Sequence, residues 1–163
     1  EYNNGWTITN LGLLDPSHNE SQARHISDTG LIVGASGISQ GDWLNTSLQL
    51  AWYMEPGGQM TAIPDCGNGV QNSWASGVTG NLVVGSVTDS NGDSFAYSWN
   101  LGDAQATCFQ VDAVASGVNS DGQIVVSWQG QHWHTDGTSW TLTTAIPNPT
   151  AFTLSSVRDA GLK

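Results

Sequence analysis

SWASGVTGNLVVGSVTDSNGDSFAYSW, residues Ser73 to Trp99, reads as three strands separated by two turns. Val78 closes the first strand, and Thr79-Gly80-Asn81 supplies a tight turn. Leu82-Val83-Val84 is a continuous apolar run, the pattern of a strand covered on both faces. Asp89-Ser90-Asn91-Gly92-Asp93 is a second turn. In Phe95-Ala96-Tyr97-Ser98-Trp99 the rings alternate with small residues, which predicts all three rings on one face.

The rest of the chain repeats this stretch. His25 to Gly34 matches Gly77 to Gly85 with one residue fewer in the second turn, and Gly117 to Val126 matches again, as does Ser156 to Leu162. The equivalent valine or isoleucine stands at 26, 78, 118 and 157, spacings of 52, 40 and 39. The aromatic strand recurs as Leu50-Ala51-Trp52-Tyr53-Met54 and as Gly130-Gln131-His132-Trp133-His134, which aligns His132 and His134 with Tyr97 and Trp99. A Gly-containing turn follows each copy (Pro56-Gly57-Gly58, Gly102-Asp103, Asp136-Gly137), then one more short strand, of which Trp6 to Leu11 is a further copy. A period near forty residues with four short strands per unit predicts an all-β, propeller-like array of four-stranded antiparallel blades. The expected units are 5–58, 59–103, 104–138 and a partial 139–163, about three and a half in one domain.

Composition narrows the function. Three Lys plus Arg against fourteen Asp plus Glu give a net charge of -11, which excludes affinity for nucleic-acid backbones or anionic membrane surfaces. No apolar run approaches the twenty residues of a membrane-crossing helix. A charged fraction of 10% leaves the surface to Ser, Thr, Asn, Gln and Gly, the balance of a secreted protein. A chain opening at Glu1 without a basic and apolar leader fits a processed product or an excised fragment. Cys66 and Cys108, an even count outside any C-x-x-C pair, predict one disulfide closing a loop of about forty residues, worth roughly 3–4 kcal/mol in chain entropy; two buried free thiols are the alternative.

Together, a strand ending in Asn10-Leu11-Gly12, the hairpin Ile26-Ser27-Asp28-Thr29-Gly30-Leu31-Ile32-Val33-Gly34, the strand Phe95-Ala96-Tyr97-Ser98-Trp99 and the turn Pro56-Gly57-Gly58 resemble the extracellular HAF repeat of bacterial surface and secreted proteins. No copy keeps the His-Ala-Phe tripeptide; Ser94-Phe95-Ala96 is nearest. The resemblance implies a β-rich, propeller-like repeat outside the cell and transfers no catalytic residue.

Candidate sites are few. Asp89, Asn91 and Asp93 place oxygen ligands at alternate positions, as a calcium loop needs, but Gly92 falls at the fourth place and no Glu stands at the twelfth. A tight hairpin turn asks for the same residues. His132 and His134 share one strand face and suit a transition metal if His25 or Asp136 joins them; as aromatic replacements they belong to the core. Trp43 and Trp128 lie off the repeat's aromatic positions and offer rings for stacking on sugars, or cap the core. No G-x-S-x-G and no recognisable Ser/Cys-His-Asp order occurs, so no enzyme and no cofactor is expected. The partial last unit leaves an apolar edge around Val157 and Leu162. Trp6 and Ile8 of the opening strand, or a neighbouring copy, would complete it. The expectation is a self-assembling extracellular structural protein, a filament or matrix subunit; the alternative is a lectin-like module that binds glycans.

Overall fold

The computed structural model describes residues 9–39, 46–67, 69–135 and 140–142. Trp6, Ile8, Trp43, Asp136, Val157 and Leu162, and residues 143–163 of the expected partial unit 139–163, lie outside the described residues. Among those described there are twelve strands and no helix, so no helix is long and apolar enough to cross a membrane.

Strands β1 (Glu20–Ile26), β2 (Ile32–Ser39), β3 (Thr46–Met54) and β4 (Thr61–Ala62) form a first sheet. Strands β5 (Val70–Thr79), β6 (Leu82–Asp89), β7 (Ser94–Asn100) and β8 (Thr107–Val111) form a second. Strands β9 (Ala113–Val118), β10 (Ile124–Trp128), β11 (Gln131–Thr135) and β12 (Trp140–Leu142) form a third. Each is an antiparallel meander in which consecutive strands are neighbours.

The hairpins follow from local chemistry. Ser27–Leu31, Asp89–Asp93 and Asn119–Gln123 are five-residue loops closed in the same way. The first residue's N–H donates to the fifth carbonyl, and the glycine at the fourth place donates back to the first. A side-chain oxygen of the first residue then accepts the fifth N–H, at 3.1, 3.0 and 2.9 Å respectively. The fourth place needs a positive φ, met by Gly30, Gly92 and Gly122 at 84, 88 and 77°.

Every first strand carries a β-bulge at the same place, between Ala23 and His25, between Ala75 and Gly77, and between Ala115 and Gly117. The bulge marks the repeated Ala-Ser-Gly-Val of β5 and β9, which is Ala-Arg-His-Ile in β1. It raises the local twist and leaves an extra residue unpaired.

Two apolar cores hold the sheets face to face, with the second sheet in the middle. Leu31, Val33, Ala51 and Ile63 of the first unit pack on Ala75, Val78, Val83, Val87, Tyr97 and Trp99. Val84 and Ala96 pack instead on Ala113, Ala115, Val118, Ile124 and Val126. Leu82-Val83-Val84 is therefore covered on both faces, as its apolar run predicts. Phe95, Tyr97 and Trp99 share the face toward the first sheet.

The hydrogen-bonded units are phased differently from the expected boundaries at 59 and 104. Thr61–Ala62 pairs with β3, and Thr107–Val111 pairs with β7. The breaks between sheets fall instead at 63–69 and at Asp112, which has a φ of 58°. A chain leaving a Gly turn pairs at once with the strand it has just left, because an antiparallel hairpin is the shortest closure.

Candidate assembly interface

The joints between sheets are built by the first strands. β5 lies across β1, β2 and β3, and β9 lies across β5, β6 and β7. Where the bulges of β5 and β9 meet, a Cβ on Gly77 would lie 3.1 Å from the Gly117 Cα, so a larger residue would push the two backbones apart by a few tenths of an ångström. Polar groups close each joint. The Ala51 N–H donates to Ser73 Oγ at 2.8 Å and the Gln49 N–H to Asn72 Oδ1 at 2.8 Å, satisfying β3 beyond the end of the two-residue β4. In the second joint the buried Ala115 N–H donates to Ser86 Oγ at 3.0 Å.

Among the described residues no sheet lies over β1 in this way. Val78 and Val118 are 2% and 5% exposed, whereas Ile26 at the same place is 60% exposed. Ala75 and Ala115 are buried, whereas Ala23 is exposed, as are its neighbours Gln22 and Arg24. Arg24 is the one Lys or Arg among the described residues.

The segment before β1 reaches that face at Ser36 of β2. The Leu14 N–H donates to Ser36 Oγ at 3.2 Å, and His18 Nδ1 lies 2.9 Å from the same oxygen. Ser36 donates its proton to the Glu20 carbonyl at 3.0 Å, so His18 Nδ1 is the donor of that pair. The hydroxyl proton is committed to a carbonyl, and this Ser–His contact is a structural clasp and not a nucleophile–base pair. Sequence reasoning missed it because the two residues lie eighteen apart with no motif around either.

The calcium candidate is accounted for by its loop. Asp89 Oδ1 accepts the N–H groups of Asn91 and Asp93 at 2.8 and 3.0 Å, and Oδ2 accepts from Asn91 Nδ2 at 3.2 Å. Asn119 makes the matching bonds to Asp121 and Gln123 without a charge. The position therefore asks for a short oxygen acceptor, and a carboxylate is one way to supply it.

The alignment of His132 and His134 with Tyr97 and Trp99 is corrected by the ladder. Gly34, Gly85 and Val126 pair with the equivalent alanines Ala23, Ala75 and Ala115. On their other side they pair with Trp52, Tyr97 and Trp133. Trp133 thus takes the aromatic place, 5.6 Å from Trp128 between ring centroids. His132 stands opposite Ser127, with Nδ1 3.1 Å from its Oγ, and His134 stands opposite Val125. The one-residue shift arises in the β10–β11 hairpin, a two-residue turn in which Gln129 and Gly130 both have positive φ, 50 and 71°. His25 belongs to the first sheet and not to this one, and among the described residues no three His, Cys, Asp or Glu side chains are gathered as metal ligands.

Cys66 and Cys108 form a disulfide with Cα atoms 5.6 Å apart. It fastens the link between the first two sheets to β8, the strand at the far side of the second sheet from β5. Trp52 and Trp99 are buried and Trp74, Trp128 and Trp133 half-buried, so none offers a fully exposed ring. Comparison with protein-family models, with curated proteins and with solved structures finds no match to this chain.

Proposed function

We propose that this is a non-enzymatic extracellular structural protein, a filament or matrix subunit whose sheets act as blades of a propeller-like array that continues from one copy to the next. The resemblance to the HAF repeat belongs to the same reading. One observation carries it: each sheet after the first buries its first strand on the sheet before, and β1 keeps Ile26 60% exposed where Val78 and Val118 are sealed. An exposed β-branched residue at a conformationally repeated joint marks an unfilled interface better than a scattered apolar side chain would. The disulfide suits an oxidising compartment. The lectin-like alternative needs exposed rings, and Trp52, Trp74, Trp99, Trp128 and Trp133 supply none that is fully exposed.

The test is sedimentation velocity of the purified chain over a hundredfold range of concentration, with electron microscopy of native material. Assemblies that grow with concentration and show ordered repeats support the proposal. A monomer at every concentration overturns it, and a glycan screen then addresses the alternative.

A further inference from the structure

The two internal joints define what β1 lacks. Through the bulge and the ladder, Ala23 and Ile26 occupy the places of Ala75 and Val78 in the first joint and of Ala115 and Val118 in the second. Ala75 and Val78 belong to the core between the first and second sheets, and Ala115 and Val118 to the core between the second and third. At Ala23's place in the second joint, the backbone N–H of Ala115 reaches out of its own sheet to a hydroxyl of the preceding one.

We infer that β1 is the docking strand of a head-to-tail contact, in which Gln22, Ala23, Arg24 and Ile26 pack on the last sheet of a second copy of this chain. The inference rests on the self-assembly reading above and specifies its surface and polarity. The clasp of Leu14 and His18 on Ser36 occupies β2 on that face, and the contact is placed on β1 beside it. The internal joints point to the same partner, because the faces that receive β5 and β9 are sheets of this chain. Arg24 stands where β5 and β9 carry Ser76 and Ser116, and it is offered by a chain whose net charge is -11. Arg24 is the one described cation that such a contact can set against a carboxylate, and added salt screens the repulsion between two chains of that net charge. The surface that receives a first strand is the far face of the preceding sheet, its first strand included, and it is the face opposite to the one by which that sheet docks. The contact is therefore heterologous and does not exhaust itself at a dimer.

Ile26→Asp tests this directly. Ile26 is exposed, so the variant keeps the circular dichroism and melting behaviour of the parent monomer. Its self-association should weaken at least tenfold by sedimentation velocity, and Arg24→Glu should weaken it several-fold. The Ile26→Asp chain keeps its receiving face, so one such chain per ten parent chains should cap growing assemblies and shorten them. If Ile26→Asp assembles like the parent, β1 is not the docking strand, although self-assembly stands. If it stays monomeric yet fails to shorten parent assemblies, the contact is isologous and the polarity is wrong. If the parent itself never assembles, the self-assembly reading falls and this contact with it.

Discussion

Replacing Tyr97 by Phe should make the protein more stable. Tyr97 is 1% exposed, its ring lies in the core between the first and second sheets, and its hydroxyl is buried with no hydrogen-bond partner. A buried polar group left unpaired costs about 1–3 kcal/mol. Removing the oxygen leaves a void of at most about 15 Å³, and at about 24 cal/mol per Å³ that loses ~0.4 kcal/mol. The ring still packs on Gly85, where a Cβ would lie 2.7 Å from it, so nothing else in the contact changes. The net gain is about 1–2 kcal/mol, a rise in Tm of roughly 2–8 °C for a domain of this size. Urea titration followed by tryptophan fluorescence reads the difference, with m unchanged between the two proteins. A loss of 1 kcal/mol or more in the Phe variant would refute the reasoning and give the hydroxyl a partner. The same burial pushes the Tyr97 phenol far above its ordinary value. Its folded-state pKa is raised, so its contribution is intact below the unfolded value of about 10 and is lost as pH rises beyond it. The parent should therefore lose stability above about pH 10 more steeply than Tyr97→Phe.

Three further outcomes are expected. Ser86→Ala strands the buried Ala115 N–H at the second joint and should cost about 1–3 kcal/mol by urea titration, and an unchanged midpoint would deny that bond its role. Reducing Cys66–Cys108, with a sequence separation of 42, should cost about 4 kcal/mol, read as a lower denaturation midpoint after dithiothreitol, and an unaltered midpoint would show that the staple constrains nothing. Asp89→Asn should preserve the β6–β7 loop and the Tm, with no response to calcium or chelator in either protein, while Asp89→Ala should cost about 1 kcal/mol. A Tm that rises with calcium only when Asp89 is present would make the loop an ion site after all.

What the sequence made legible is what each strand decides for itself. The apolar run Leu82-Val83-Val84 tells of two covered faces because burial on both sides leaves no polar place in it, and both cores claim it. The rings of β7 tell of one face because alternation is a property of extended backbone. The misplaced pair, His132 and His134, lies beyond a hairpin whose length no residue type announces. Gln129 adopts a positive φ that Asn or Asp would have signalled and glutamine does not, and one residue in the turn moves every side chain of β11 to the other face. The unit boundary was hidden for a similar reason. Met60 to Ile63 looks like the opening of the next repeat, yet only the ladder says with which strand it pairs. The candidate interface lay deeper still. Ile26, Val78 and Val118 are interchangeable letters in the repeat, and a sequence gives all three the same place. Only the neighbours separate them: two are sealed by a preceding sheet and one faces solvent. A repeat writes the same joint into every unit, so the contact proposed for a second copy is placed where, among the described copies of this position, Ile26 alone is left uncovered.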